Sequence, residues 1–311
     1  MLVALKHGRI VKNYIQNILK ERSMKNKNLF GKVGLLLTAI IWGSGFTFSS
    51  LALEHYTTFQ VIALRFTIAF IALLVINFPK LKEIDKKDIR KGATIGAILF
   101  AAYLFQTMGL VYTTTSKNSF LTAVNVVLVP FISWIVLREG ISKNALLGAF
   151  VSLVGIGFTS FAGSGGELGF NIGDAISLVG AVFFGLHIFY TDHYGDNMPS
   201  WVVMLLQMGT AAALSWIAVL VKGETHMEFS GEALMPILYV GIVATLVGYG
   251  LQTASQKHAT SGESAVILST ESFFGMITAI LILGEPLLPT MVLGGILIFA
   301  GILVVDLKPL K

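Results

Sequence analysis

The sequence contains no cysteine, which excludes a disulfide framework, a thiolate metal site and a thiol redox pair. Charge is scarce as well: only 13% of the 311 residues are Asp, Glu, Lys or Arg, against about 25% in a typical soluble domain. The 22 basic and 17 acidic side chains are too few to cover a water-soluble globule of this size. Composition therefore argues against a soluble enzyme, a nucleic-acid-binding module and a disordered chain. The familiar enzyme signatures are missing too. There is no Walker A loop, no His-Glu-x-x-His, no Gly-x-Ser-x-Gly and no histidine cluster at ligand spacing. Gly163-Ser164-Gly165-Gly166 follows an apolar run and reads as a linker, not a phosphate cradle. Neither a cofactor nor a metal is expected, and the chain is not read as an enzyme.

What the chain has in abundance is apolar sequence: 55% hydrophobic residues and a mean hydropathy of +0.79. A hydrocarbon core about 30 Å thick takes roughly 20 apolar residues to cross as a helix. Ten such runs are legible, at about 33–53, 59–78, 92–111, 118–137, 144–161, 173–191, 201–221, 233–252, 263–283 and 289–307. None shows the two-residue alternation of a barrel strand, so helices are predicted. The predicted fold class is an all-α integral membrane protein with ten transmembrane helices. Counting Lys and Arg over alternate connections places 19 on one side and only Lys117 and Lys222 on the other, with Arg65 inside a span. Positive charge marks the cytoplasmic face, which puts both termini there.

Residues 1–30 form a basic leader in which Ile10, Val11, Tyr14, Ile15, Ile18 and Leu19 recur at helical spacing among Lys and Arg. That pattern suits an amphipathic helix on an anionic membrane surface. It lacks the long apolar stretch and small-residue cleavage site of a signal peptide. Met24 stands just before the first span, so the segment is read as a dispensable extension.

The sequence repeats itself. A shift of 146 superposes Tyr103 on Tyr249, Gln106 on Gln252, Glu139 on Glu285, Gly148 on Gly294 and Gly155 on Gly301. A shift of 142 superposes Gly43 on Gly185 and Val61 on Val203. Matches at Tyr, Gln and Glu carry weight in a composition so biased towards apolar residues. Two five-helix halves result, at 31–161 and 170–307. Because five is odd, the second half enters the membrane from the opposite side, which makes the halves inverted repeats suited to alternating access.

Ten spans in two halves, each closing on a Leu-x-Glu step, resemble the EamA-type members of the drug/metabolite transporter superfamily. The residues that carry the resemblance are Trp42-Gly43, Arg65-Phe66, Gln106, Pro130, Leu137-Arg138-Glu139, Glu271 and Leu283-Gly284-Glu285-Pro286. The first half departs by placing Arg138 where the family usually has glycine. The resemblance implies a secondary transporter in a bacterial cytoplasmic membrane, an exporter of small metabolites such as amino acids. Its expected partners are a small-molecule substrate, the lipid bilayer and a coupling proton, with no nucleic acid.

Candidate site residues follow from cost. A charge inside a span is expensive, about 2.5–3.5 kcal/mol on insertion scales, and Arg65 and Glu271 are the two that sit well inside. Glu271 is read either as a proton-coupling or amine-binding carboxyl, or as a structural carboxyl bonded to its Ser and Thr neighbours. Arg65 is read either as a carboxylate-capturing group or as a residue snorkelling to the interface. The repeat mates Tyr103 and Tyr249, and Gln106 and Gln252, put phenols and amides on adjacent helical turns, as substrate contacts or interhelical bonds. Trp42, Asn125 and His187 are further cavity candidates. Pro130 removes a backbone hydrogen bond and marks a kink or a gating bend. A non-transporting scaffold or sensor subunit is the competing functional class. Deleting residues 1–23 is expected to leave flux unchanged when the truncated protein is assayed beside the full chain.

Overall fold

The computed structural model describes residues 2–138, 140–160, 170–195, 198–227, 229–259 and 261–306, apart from the side chains of 2–27, 160, 261–263, 265 and 306. Every regular element among the described residues is helical. They are α1 (Leu2–Leu53), α2 (Thr58–Asn77), α3 (Lys86–Tyr112), α4 (Thr115–Ala123), α5 (Asn125–Leu137), α6 (Lys143–Ser160) and α7 (Ile172–Gly195). The series continues with α8 (Ser200–Lys222), α9 (Gly231–Leu238), α10 (Gly248–Gln256), α11 (Ser261–Ser269), α12 (Glu271–Thr278) and α13 (Pro289–Asp306). A 3₁₀ turn, Phe78–Glu83, extends α2, and two π-helical stretches, Tyr239–Val247 and Ala279–Leu283, extend α9 and α12.

Eight helical segments are long and apolar enough to cross a membrane. α4 with α5, α9 with α10, and α11 with α12 are each one apolar segment with an interruption. The remaining two, α6 and α13, have 18 residues each. At 1.5 Å per residue each is about 27 Å long, just short of the hydrocarbon core. α1 runs without a break from Leu2 to Leu53, so the basic leader continues directly into the first apolar segment. Outward-facing positions such as Leu36, Ile71, Val75, Phe150 and Leu281 are large, apolar and exposed. Exposed apolar surface on that scale needs lipid around it. The protein is a multi-pass membrane protein.

Polar side chains inside the spans are accommodated locally. Thr38, Ser49, Thr159, Ser177 and Ser215 each donate to the carbonyl one turn earlier, at 2.6–3.0 Å, which satisfies the hydroxyl without a partner helix. The ends are capped in the usual way. Thr57 and Gln60 form a capping box at α2, while Thr114 and Ser230 accept from the first turns of α4 and α9.

Packing interleaves the two halves. α3 lies against α7 and α8, α2 against α8, α1 against α10 and α12, and α6 against α13. Small residues set the last of these. A Cβ added to Gly155 would stand 2.7 Å from the Gly294 carbonyl oxygen, and one on Gly301 would stand 2.6 Å from that of Gly148. Only hydrogen fits there, so the backbones approach as closely as in other small-residue membrane crossings.

The interruptions recur at the repeat interval. Val124 donates to Leu121 O and Thr270 to Ile267 O, and each is followed by matching bonds from the residues three and four positions on. Both apolar segments are thus broken 146 residues apart, and Asn125 and Glu271 open the helices that follow. α5 is continuous through Pro130, so the discontinuity lies six residues before the proline.

The following C-termini match as well, since Arg138 (φ 59°) and Gly284 (φ 70°) both adopt the left-handed conformation. Glycine does so freely, whereas an L side chain incurs roughly 1–2 kcal/mol. Arg138→Gly is therefore expected to raise stability by about 0.5–1 kcal/mol, after glycine's own entropy cost. Thermal unfolding of the purified protein checks this, with Gly284→Arg moving the midpoint the other way.

Candidate functional site

A cavity of about 1040 Å³ opens between the helices. Trp42 of α1, Arg65 of α2, Tyr103 and Gln106 of α3, and Asn125 and Pro130 of α5 all line it. So do His187 of α7, Tyr249 and Gln252 of α10, and Glu271 of α12. Every candidate residue named from the sequence therefore reaches one space. The cavity lining runs to the end of the bundle that carries Leu137, Asp192, Gln256 and Lys257, all of them exposed.

Glu271 opens α12 and is half-buried. Ser269, Thr270 and Ser272 turn their hydroxyls to backbone carbonyls at 2.6–3.0 Å, so they do not anchor the carboxylate as a purely structural reading requires. Among the described residues it has no hydrogen-bond or ion-pair partner. Its backbone is fixed from α1: a Cβ on Gly43 would stand 2.5 Å from the Glu271 carbonyl oxygen. Asn125 occupies the repeat-equivalent position, opposite Gly185, and its buried Oδ1 has no partner.

Arg65 is 3% exposed and does not snorkel. Its guanidinium carbon lies 4.1 Å from the centroid of the Tyr103 ring, a cation–π stack. Nε donates to Thr245 Oγ1 at 3.2 Å. Thr245 in turn donates to Val240 O, five residues back, at 2.7 Å. The wide π turn thus aims the hydroxyl that holds the arginine. Among the described residues no carboxylate lies within ion-pair distance of Arg65.

The Tyr103 and Tyr249 hydroxyls are 3.3 Å apart. The Tyr249 ring is 5.0 Å from that of Trp42. Trp42 is fixed by its indole N–H, which donates to Ala244 O at 3.0 Å. His187 Nε2 donates to Gln207 Oε1 at 2.8 Å, a satisfied pair. Gln106 donates to Thr122 Oγ1 at 3.3 Å.

Toward the other end of the bundle the lining residues Ser49 and Leu110 are buried, and the charges of the neighbouring helix ends are engaged with partners. Glu285 accepts from Thr115 N, Ser116 N and Ser116 Oγ at 2.6–3.1 Å. It thereby caps the positive end of α4. Its repeat mate Glu139 lies outside the described residues. Asp174, fully buried, accepts from Thr113 Oγ1 at 2.6 Å and pairs with Lys117 Nζ at 3.3 Å. Thr57 Oγ1 donates to the Glu224 carboxylate, while Gln60 Nε2 donates to the carbonyls of Glu224 and His226. Lys117 is therefore a buried partner within α4, not the loop cation that charge counting assumed. Asp174 and Thr245 were not singled out from the sequence. The only signal for Asp174 is an acid in the first turn of α7, and nothing local marks Thr245.

The model of the EamA-like transporter family matches the chain twice, over residues 29–161 and 171–306. A protein of Archaeoglobus fulgidus described as an uncharacterized transporter is 34% identical over 282 residues, covering 91% of this chain and 87% of that one. A probable amino-acid metabolite efflux pump of Salmonella typhimurium is 24% identical, covering 86% of this chain and 91% of the pump. One solved crystal structure superposes with a TM-score of 0.65 at 17% identity, covering 90% of this chain and 96% of that chain; it shares the fold.

Each Glu285 bond is charge-assisted, worth about 1.5–3 kcal/mol. A cavity cysteine placed by Leu110→Cys in this cysteine-free chain is expected to react with a membrane-impermeant maleimide only from the open end. Adding Glu285→Ala should make it react from the closed end as well, at least about tenfold faster. Two-sided labelling of oriented vesicles measures both rates.

Proposed function

The chain belongs to the EamA-like transporter family, and from that premise we propose that it is a secondary transporter exporting small metabolites such as amino acids by alternating access. The observation that carries this reading is the cavity, whose lining is exposed at one end of the bundle and buried at the other. A transporter caught between substrate release and capture needs that shape. A scaffold or sensor subunit has no use for it.

Repeat symmetry supports the mechanism. Counting α6 and α13 as spans gives ten crossings in two inverted halves, and the contacts obey a two-fold relation. The close pair Gly148 with Gly301 maps onto Gly294 with Gly155. Tyr103 meets its own mate Tyr249. Gly43 against Glu271 maps onto Gly185 against Asn125. In such an assembly the sealed and open ends have the same architecture, so exchanging their states costs little net free energy. With the basic face in the cytoplasm of a cell membrane, the cavity opens inward, the loading side for an exporter.

Broken helices at the cavity fit the same role, because irregular backbone in a membrane is tolerated where it lines a protein-enclosed space. Glu271 serves as the coupling or amine-binding group, with Tyr103, Tyr249, Gln106 and Gln252 as neutral contacts. Trp42, Asn125, His187 and Arg65 complete the lining, and the helix around Pro130 bends as the ends exchange. The protein is reconstituted in liposomes and a panel of amino acids assayed with and without a pH gradient. Flux that responds to the gradient is expected, and Glu271→Gln should cut it at least about tenfold and remove the response, as loss of a buried charged contact of 2–5 kcal/mol would. Zero flux across the whole panel would sink the transporter reading.

A further inference from the structure

At the end of the bundle where the cavity lining is buried, four side-chain hydrogen bonds tie α4 and the turn before it to their neighbours. Thr113 Oγ1 donates to Asp174 and Ser116 Oγ donates to Glu285, both at 2.6 Å. Asn118 Nδ2 donates to Ser177 Oγ at 2.8 Å, and Ser119 Oγ lies 3.2 Å from Ser272 O of α12. The last contact sits at a close crossing, because a Cβ on Gly275 would stand 2.8 Å from that of Ser119.

The repeat offsets carry each of these positions to the exposed end, and each bond loses a partner on the way. Over the shift of 146, Thr113 becomes Ala259, Ser116 becomes Gly262 and Ser119 becomes Ala265, while over the shift of 142 Ser177 becomes Leu35. None of the four replacements has a hydroxyl. Val129 replaces Gly275, which puts a branched side chain at the equivalent crossing. What is kept is charge: Lys117 and Asp174 correspond to Glu263 and Lys32, and Glu285 to Glu139. The backbone obeys the same correspondence. A Cβ on Gly173 would stand 2.8 Å from Gly109 O, and one on Gly31 would stand 2.9 Å from the equivalent Ser255 O. α4 is packed on α12, yet among the described residues their mates α11 and α5 are not packed on each other. Ser264, the mate of Asn118, keeps a buried hydroxyl with no partner among the described residues.

Resting on the transporter reading, we propose that the two ends are unequal gates: α11 closing on α5 makes a weaker seal than α4 on α12, so the empty protein rests with its present end exposed. The scaffold makes exchange between the two arrangements cheap, and the side chains tilt it. Populations follow the free-energy difference between the arrangements, and every bond made at one end alone adds to that difference. An empty carrier built this way returns spontaneously to the same side for its next load.

The test places the Leu110→Cys reporter in oriented vesicles without substrate and applies a membrane-impermeant maleimide from either side. The readout is the ratio of exposed-side to buried-side labelling rates. Gly262→Ser with Ala265→Ser returns two of the missing hydroxyls to α11 and should lower that ratio at least about tenfold. Ser116→Gly with Ser119→Ala removes them from α4 and should move the ratio the same way, one rate falling as the other rises. A ratio unmoved in both pairs overturns the proposal. So does a joint rise of both rates in the second pair, which marks a frayed seal instead of a shifted population. The first pair deletes no side chain, so it decides the matter where the second fails to fold. Amino-acid flux in the same vesicles separates this proposal from the reading beneath it. Flux with an unmoved ratio removes the bias alone, whereas no flux of any amino acid removes the transporter reading as well.

Discussion

A bilayer core supplies no water to an exposed carbonyl or an isolated charge, and that single shortage organises the molecule. It makes most of the described residues helical and turns intraspan hydroxyls such as those of Thr38, Ser49 and Ser215 back onto their own backbone. It also restricts irregular backbone to the one place where water or side chains can reach it. The breaks at Val124 and Thr270 and the π turn at Tyr239–Val247 all adjoin the cavity. The π turn also illustrates how such irregularity is put to use. Its carbonyl at Ala244 takes the Trp42 indole, and its Thr245 takes the Arg65 guanidinium. Two lining residues are thus aimed by a segment that a regular helix could not replace.

Duplication supplies the second constraint. Equivalent breaks, equivalent left-handed C-termini and equivalent glycine crossings recur 146 residues apart, so the scaffold is close to symmetric in what it can do at either end. The differences between equivalent positions then become informative. Glu271 stands where the first half has Asn125, and Arg65 stands where the second half has Gln207. Each half therefore contributes one charge from within its spans where the other half has a neutral amide, while Asp192 and Lys257 line the cavity nearer the helix ends. In the proposed transport cycle a symmetric scaffold with asymmetric charges separates two tasks: the backbone provides two states, and the side chains decide what is carried between them.

Much of this was legible in the sequence because membrane energetics writes itself into composition. Apolar runs of span length, the repeat offset and the two intraspan charges follow from costs large enough to exclude alternatives, and the two charges line the cavity together with the other eight candidates. What stayed hidden depends on local geometry. Thr270 and Val124 break their helices without proline or glycine, so no residue type announced the interruption, while Pro130, which does announce one, sits inside a continuous helix. Lys117 looked like a loop cation because its partner Asp174 is 57 positions away. Counting charges cannot see a pair that only the packing of α4 against α7 brings together. Thr245 was invisible for the same reason, since its role depends on a π turn that shares the apolar pattern of the helix around it.

The engaged and the unengaged charges divide by location, and that division bears on how the two ends can be coupled. Glu285, Asp174 and Lys117 at the sealed end are saturated with partners, so their electrostatics hold the seal whether or not the cavity is occupied. Arg65 and Glu271 in the cavity have no counter-ion among the described residues, so their electrostatics favour any state in which a ligand supplies one. In the proposed cycle a seal of saturated charges opens when its partners are replaced, and by symmetry the replacement is a matching seal at the other end. Ligand charge is then not consumed in breaking the seal. It acts by lowering the free energy of the occluded arrangement, in which unpaired cavity charges would otherwise be most costly. On the proposed alternating-access reading the empty cavity resists occlusion and the filled one permits it, the condition such a carrier must meet to avoid cycling without cargo.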